Sequence, residues 1–133
     1  MSRYLLDACA LIAYFNEEEG ADAVEALFEK KEETFISIVN VYEVYYDAYR
    51  TEGEEKAKEL LADIEKLPLK IIRNIDREVI INAARFKVDF SISLADSIAL
   101  GLGKQLKAKV VTADHHEFDK IEEKKSADFY WIR

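Results

Sequence analysis

The chain is poor in most of the residues that would announce a special structural class. It has one cysteine, one proline and one methionine among 133 residues. A lone thiol, Cys9, closes no internal disulfide, so a disulfide-stapled scaffold is excluded and a reducing, cytoplasmic setting is expected. With Pro68 alone and four glycines, no proline-rich or glycine-rich linker divides the sequence. No apolar run approaches the roughly 20 residues that cross a bilayer, so no membrane role is expected. Met1 leads directly into "RYLLD" without a charged-then-apolar leader, and no secretory signal is expected. Cations are outnumbered as well: 19 bases face 27 acids, a net charge of −8. A phosphate chain is held mainly by surplus Lys and Arg, which argues against a simple electrostatic nucleic-acid binder. Acids gathered around a divalent cation would reverse that sign locally. The same acidity suits a basic protein partner.

What remains is half hydrophobic and long enough for one domain, residues 1–133, with a real core. Short apolar runs alternate with helical periodicity. "YLL", "TFISIV", "LKIIRNI", "AKVVT" and "FYWI" read as strands. Between them, "ACALIAYF", the segment around Val24 to Phe28, "NVYEVYYDAYR", "EEKAKELLADIEKL", "DREVIINAARFKV", "SLADSIALGLGKQL" and "HHEFDKIEEK" read as helices. Asn40 is the expected opener of the third helix and Asp76 of the fifth. Strands separated by helices predict an α/β domain with a mostly parallel sheet of four to five strands. Two crossovers are expected to hold consecutive helices.

Functional groups of open parallel sheets collect beyond the carboxyl ends of the strands. Asp7 ends the first strand, Glu43 sits in the first turn after the second, and Asp114 follows the fourth. Asp96 opens the helix that must descend to feed "AKVVT". Topology therefore predicts that four carboxylates distant in sequence share one edge. Such oxygen-only sets suit Mg2+ or Mn2+, one or two ions, held by Asp7, Asp96 and Asp114, with Glu43 on a second ion or on the attacking water. Glu117, one turn past Asp114, is an auxiliary candidate. Each acid also has a plain structural use. Glu43 follows Asn40, and Asp96 follows Ser93, at capping-box spacing; Asp7 fits an N-cap. Capping explains each acid singly and not their common edge.

Together, "YLLDACALIAYF", "ISIVNVYEV", "SLADSIALGLGKQL" and "VVTADHHEFDKI" resemble the PIN-domain family, in particular its VapC-type toxin ribonucleases. The resemblance runs nearly end to end and keeps the order Asp, Glu, Asp, Asp. It implies a three-layer α/β/α sandwich and Mg2+- or Mn2+-dependent cleavage of RNA. It further implies a homodimer restrained by a small basic antitoxin. The family's acidic pocket falls on Asp7, Glu43, Asp96 and Asp114, with Thr112 as the polar residue supporting the last Asp. Two alternatives stand beside this reading. A metal-dependent phosphatase of haloacid-dehalogenase type would need a second Asp where Cys9 stands. A non-catalytic interaction module of the same fold would use the acids to accept a partner's arginines.

Other features have plainer readings. His115 and His116 would open a helix and stay exposed, since adjacent helical residues point about 100° apart. Cys9 reads as a small buried filler. The helix carrying Tyr42, Tyr45, Tyr46 and Tyr49 is apolar around most of its circumference, which predicts burial on two sides through a dimer or antitoxin contact. Gly101 and Gly103 suggest close helix packing, and Lys104, Lys107 and Lys109 a solvated basic run.

Overall fold

The computed structural model describes residues 2–30 and 32–133. Five strands, β1 (Arg3–Leu6), β2 (Glu33–Ser37), β3 (Lys70–Ile72), β4 (Lys109–Thr112) and β5 (Phe129–Trp131), form one sheet in the order β3-β2-β1-β4-β5. Every neighbouring pair is parallel. Each connection is therefore a helical crossover: α1 (Ala8–Phe15) with α2 (Ala21–Glu29), α3 (Ile38–Glu52) with α4 (Glu54–Lys66), α5 (Arg77–Asp89) with α6 (Leu94–Leu106), and α7 (His115–Glu123) alone. Helix pairs thus fill three crossovers rather than two.

The strands are short and apolar because both of their faces are covered. Successive side chains alternate between faces. Leu6, Ile36 and Val111 pack with Leu11, Val24, Val44 and Ile64 from α1 to α4. Their neighbours Leu5, Phe35 and Val110 turn to the opposite face, where Val79, Phe86, Ala99, Leu100, Leu102 and Phe118 from α5 to α7 bury them. The result is the α/β/α sandwich expected from the resemblance. Helix α6 lies tight on its neighbours. A Cβ added at Gly101 would meet the Ala83 nitrogen and Val79 oxygen at 2.8 and 2.9 Å, and one at Gly103 would meet Val110 at 3.1 Å. Both glycines serve close packing.

Two sequence expectations fail here. The β-branched run "TFISIV" leaves the sheet at Ser37, whose hydroxyl accepts from the Val39 N–H at 3.1 Å and caps α3. Ile38 and Val39 are helical, so Asn40 lies inside the first turn and is no cap. The capping-box reading of Glu43 falls with it. Within the chain α3 is buried on one side, which leaves its other side free for the partner contact expected there. Val41, Val44 and Ala48 are enclosed, whereas Tyr42, Tyr46 and Tyr49 face outward at 64%, 55% and 47% exposure.

Candidate active site

Parallel register places the site. Leu6 pairs with Ile36 on one side and with Val111 on the other, so Asp7, Ser37 and Thr112 leave the sheet at one level. The Asp7 N–H still donates to the Val111 carbonyl at 3.1 Å, which ties it to the end of β4. Its side chain N-caps α1 by accepting from the Ala10 N–H at 2.9 Å. Asp114 caps α7 in the same way, accepting from the Glu117 N–H at 3.1 Å, while its own N–H donates to Thr112 Oγ1 at 3.0 Å. At α6 the cap is Ser93, whose hydroxyl accepts from the Asp96 N–H at 3.1 Å. Three helix N-termini therefore deliver carboxylates to one edge.

Capping accounts for the helix starts and not for the crowding. One carboxylate oxygen from each of Asp96, Asp114 and Glu117 lies within 4.8 Å of the others. Asp7, 2% exposed, is near enough to exchange charge repulsion with Asp96 and Asp114. Its carboxyl rises from 3.8 to about 6, lifted first by burial and also by the Asp114 charge, against the opposing pull of the Thr112 hydroxyl, the Ala10 N–H and the Cys9 thiol. Asp96 rises from 3.8 to about 7, again first through burial, then through the charges of Asp7 and Asp114, with Glu117 adding to them. Helix N-termini normally hold carboxylates in the charged form. Here desolvation and like charge win, the signature of a negative cluster that a cation would stabilise. An all-oxygen donor set of this spacing fits a hard divalent cation.

Glu43 stands apart from the other four acids. Half-buried on α3, it accepts a hydrogen bond from the Asn40 side-chain amide at 2.8 Å. Burial raises its pKa and the Asn40 bond lowers it, with no resolved influence of the remaining cluster. Asn40 itself is fully buried, and its Oδ1 has no partner among the described residues.

Sequence reasoning missed two neighbours of the acids. The Cys9 thiol is no mere filler: it lies 3.2 and 3.4 Å from the Asp7 oxygens and accepts from the Ala113 N–H at 3.3 Å, spanning the ends of β1 and β4. Burial, then the Asp7 charge, push the thiol up to about 12, so it stays protonated and able to donate. Asn40, read as a helix opener, instead holds Glu43. The i, i+3 spacing of Asn40 and Glu43 was the available signal, obscured by the misplaced helix start. His115 and His116 are exposed. His115 stacks on Trp131 at 4.0 Å, with ring nitrogens 2.8 Å from Asp119 Oδ1 and from the Arg133 carbonyl, outside the carboxylate cluster.

The PIN domain family model matches residues 4–124. Among solved structures, the DNA-bound VapBC of Salmonella typhimurium aligns over the whole of both chains at 16% identity with a TM-score of 0.79. A toxin–antitoxin complex from Klebsiella pneumoniae aligns at 20% identity over 89% of this chain and 92% of its own, TM-score 0.67. A Mycobacterium tuberculosis VapC toxin described as cleaving the sarcin-ricin loop aligns at 12% identity over 80% and 85%, TM-score 0.62. At such identities these likenesses speak for the fold. No curated protein matches the sequence.

Proposed function

The chain belongs to the PIN domain family, and from that premise we propose that it is a divalent-metal-dependent endoribonuclease, the toxin of a toxin–antitoxin pair. The observation that carries the reading is the cluster of Asp7, Asp96, Asp114 and Glu117, two of whose members burial and mutual repulsion hold well above the usual carboxylate range. Asp96, Asp114 and Glu117 would hold Mg2+ or Mn2+, with Asp7 completing the set directly or through water. When bound, such an ion supplies Lewis acidity toward a phosphoryl oxygen and favours ionisation of water.

The chain's own residues then have separable tasks. Thr112 fixes the backbone of Asp114 and borders Asp7; Cys9 fixes the Asp7 carboxyl. Glu43, steered by Asn40, would orient the attacking water or carry a second ion. Residues 1–133 would act as one domain, in the cytoplasm.

Partners follow from the structural neighbours and from surface chemistry. The neighbours include toxin–antitoxin complexes, and a net charge of −8 complements a small basic antitoxin. The outward tyrosines of α3 support a protein contact there, and we assign that contact to a homodimer or to the antitoxin.

The test is incubation of wild type and Asp96→Ala with structured RNAs plus Mg2+ or Mn2+. Wild type is expected to cut and Asp96→Ala to be inert. Cleavage that survives excess chelator, or full activity in the variant, contradicts the proposal.

A further inference from the structure

Four aromatic rings form a column that climbs from the core to the carboxyl edge of the sheet. Phe118, fully buried, stacks on Phe129 at 5.1 Å, and Phe129 on Trp131 at 5.4 Å. Trp131 in turn carries His115 at 4.0 Å, the two rings only 9° from parallel. The column follows β5 toward its carboxyl end, because His115 Nε2 lies 2.8 Å from the carbonyl of Arg133, two residues beyond Trp131. Phe129 and Trp131 are half-buried, whereas His115 keeps 50% of its side-chain surface in solvent.

Packing explains the three inner rings, and His115 shields the indole. Packing does not require the imidazole itself to be fixed so fully. Its Nδ1 lies 2.8 Å from Asp119 Oδ1, so both ring nitrogens are engaged while one face lies on Trp131. The surface left to solvent is therefore chiefly the other face, flat and held still. That face points away from Trp131, onward along the column and out beyond the carboxyl edge. His115 directly follows Asp114, so their Cα atoms are about 3.8 Å apart and the open face stands beside the carboxylate cluster. A chain of net charge −8 cannot grip RNA through surplus cations. Stacking needs no charge, every base offers a π face, and histidine is among the side chains that take up splayed bases of single-stranded RNA.

We propose that His115 is a stacking platform for the substrate: a base next to the scissile phosphate of a single-stranded RNA segment lies on its open face and extends the Trp131–His115 column. The inference rests on the metal-dependent reading above and names how the same site holds its substrate.

The experiment compares the full wild-type chain with His115→Ala and His115→Phe. The probes are a labelled single-stranded RNA octamer of mixed sequence and an octamer of abasic ribose phosphates. Ca2+ holds the phosphates during the titrations, since its looser coordination serves binding more than turnover. Anisotropy gives the affinities, and the emission of Trp131, the lone tryptophan, reports on the column. Wild type is expected to bind RNA at least about fivefold more tightly than the abasic strand, with Trp131 emission changed by RNA alone. His115→Ala should bring the two strands within about twofold of each other, and His115→Phe, which keeps a ring without the polar bonds, should restore the preference. A purely structural His115 would shift both strands alike. With Mn2+, the KM for a cleaved RNA should rise about fivefold in His115→Ala while kcat stays within about twofold. The inference is overturned if RNA and abasic strand bind wild type alike or not at all, if His115→Ala keeps the preference or an unchanged KM, or if His115→Phe is no better than His115→Ala. Equal binding of both strands that EDTA abolishes would leave the metal-dependent reading standing without the platform. A base preference that persists in EDTA, with no cleavage in Mn2+, would leave the platform standing without the metal.

Discussion

The two ends of the sheet follow the same dipole rule and reach opposite characters. At the carboxyl end, helix N-termini collect Asp7, Asp96, Asp114 and Glu117; at the amino end, helix C-termini collect Lys104, Lys107 and Lys125. The difference lies in solvent. The lysines remain exposed, and water screens them from one another. The carboxylates are half-buried or fully buried, and Asp7 and Asp96 titrate near 6 and 7 because of it. Helix punctuation explains where charges sit. Only at the carboxyl end does their burial demand a counter-ion.

Asp7→Asn breaks this contrast most severely. Asparagine retains the N-cap and removes the charge. Metal catalysis rests on several kcal/mol of charge stabilisation, so RNA cleavage should fall by about a thousandfold or more in a rate assay. The same substitution should raise the melting temperature of the metal-free protein. A carboxyl lifted from 3.8 to about 6 costs about 3 kcal/mol of stability once ionised in the fold.

The pH dependence has a definite sign. Raised folded pKa values mean that the native chain binds more protons than the unfolded chain between about pH 4 and 7. The contribution of Asp7 and Asp96 to stability is therefore most favourable below that window and is lost as pH rises through it. Calorimetric melting in EDTA should show the decline, and saturating Mn2+ should flatten it, because the ion binds the ionised form. A metal-free melting temperature that rises steadily from pH 5 to 7 with no effect of Mn2+ contradicts the cluster's assignment.

Glu43→Gln sharpens the comparison within the acidic end. Because Glu43 answers to Asn40 and to burial rather than to the other acids, the change should lower cleavage by about 10- to 100-fold. Mn2+ affinity of the remaining cluster should stay within about twofold. Equal loss of both would join Glu43 to the cluster. Gly101→Ala tests the element shared by both ends, since α6 carries Asp96 at its start and Lys104 near its finish. The new methyl would press on the backbone of α5 and should cost about 1–3 kcal/mol in chemical denaturation, a smaller effect felt at both ends of α6.

Much of this polarity was legible before any coordinates. Asp7 and Asp114 each follow an apolar strand, and parallel topology alone puts strand ends and descending helix starts at one edge. Asp96 came with the Ser93 cap. The Asn40–Glu43 relation was misjudged because Ile38 and Val39 favour strand by local propensity, whereas the Ser37 cap and tertiary packing start the helix there. The bridging role of Cys9 was invisible because Asp7, to which its thiol donates, and Ala113, from whose N–H it accepts, meet only when β1 and β4 pair. The grouping of Lys125 with Lys104 and Lys107 was hidden for the same reason: it arises only through the α7 crossover.

The central claim is that the carboxylates form one cation site, and Mn2+ binding to the RNA-free protein tests it directly. Calorimetry of wild type against Asp96→Asn and Asp114→Asn should give a saturable site of about millimolar affinity or tighter, lost in both variants, while Asp119→Asn on the outer face of α7 binds as wild type. Undiminished Mn2+ binding in Asp96→Asn and Asp114→Asn, or no binding to wild type at all, would contradict the account.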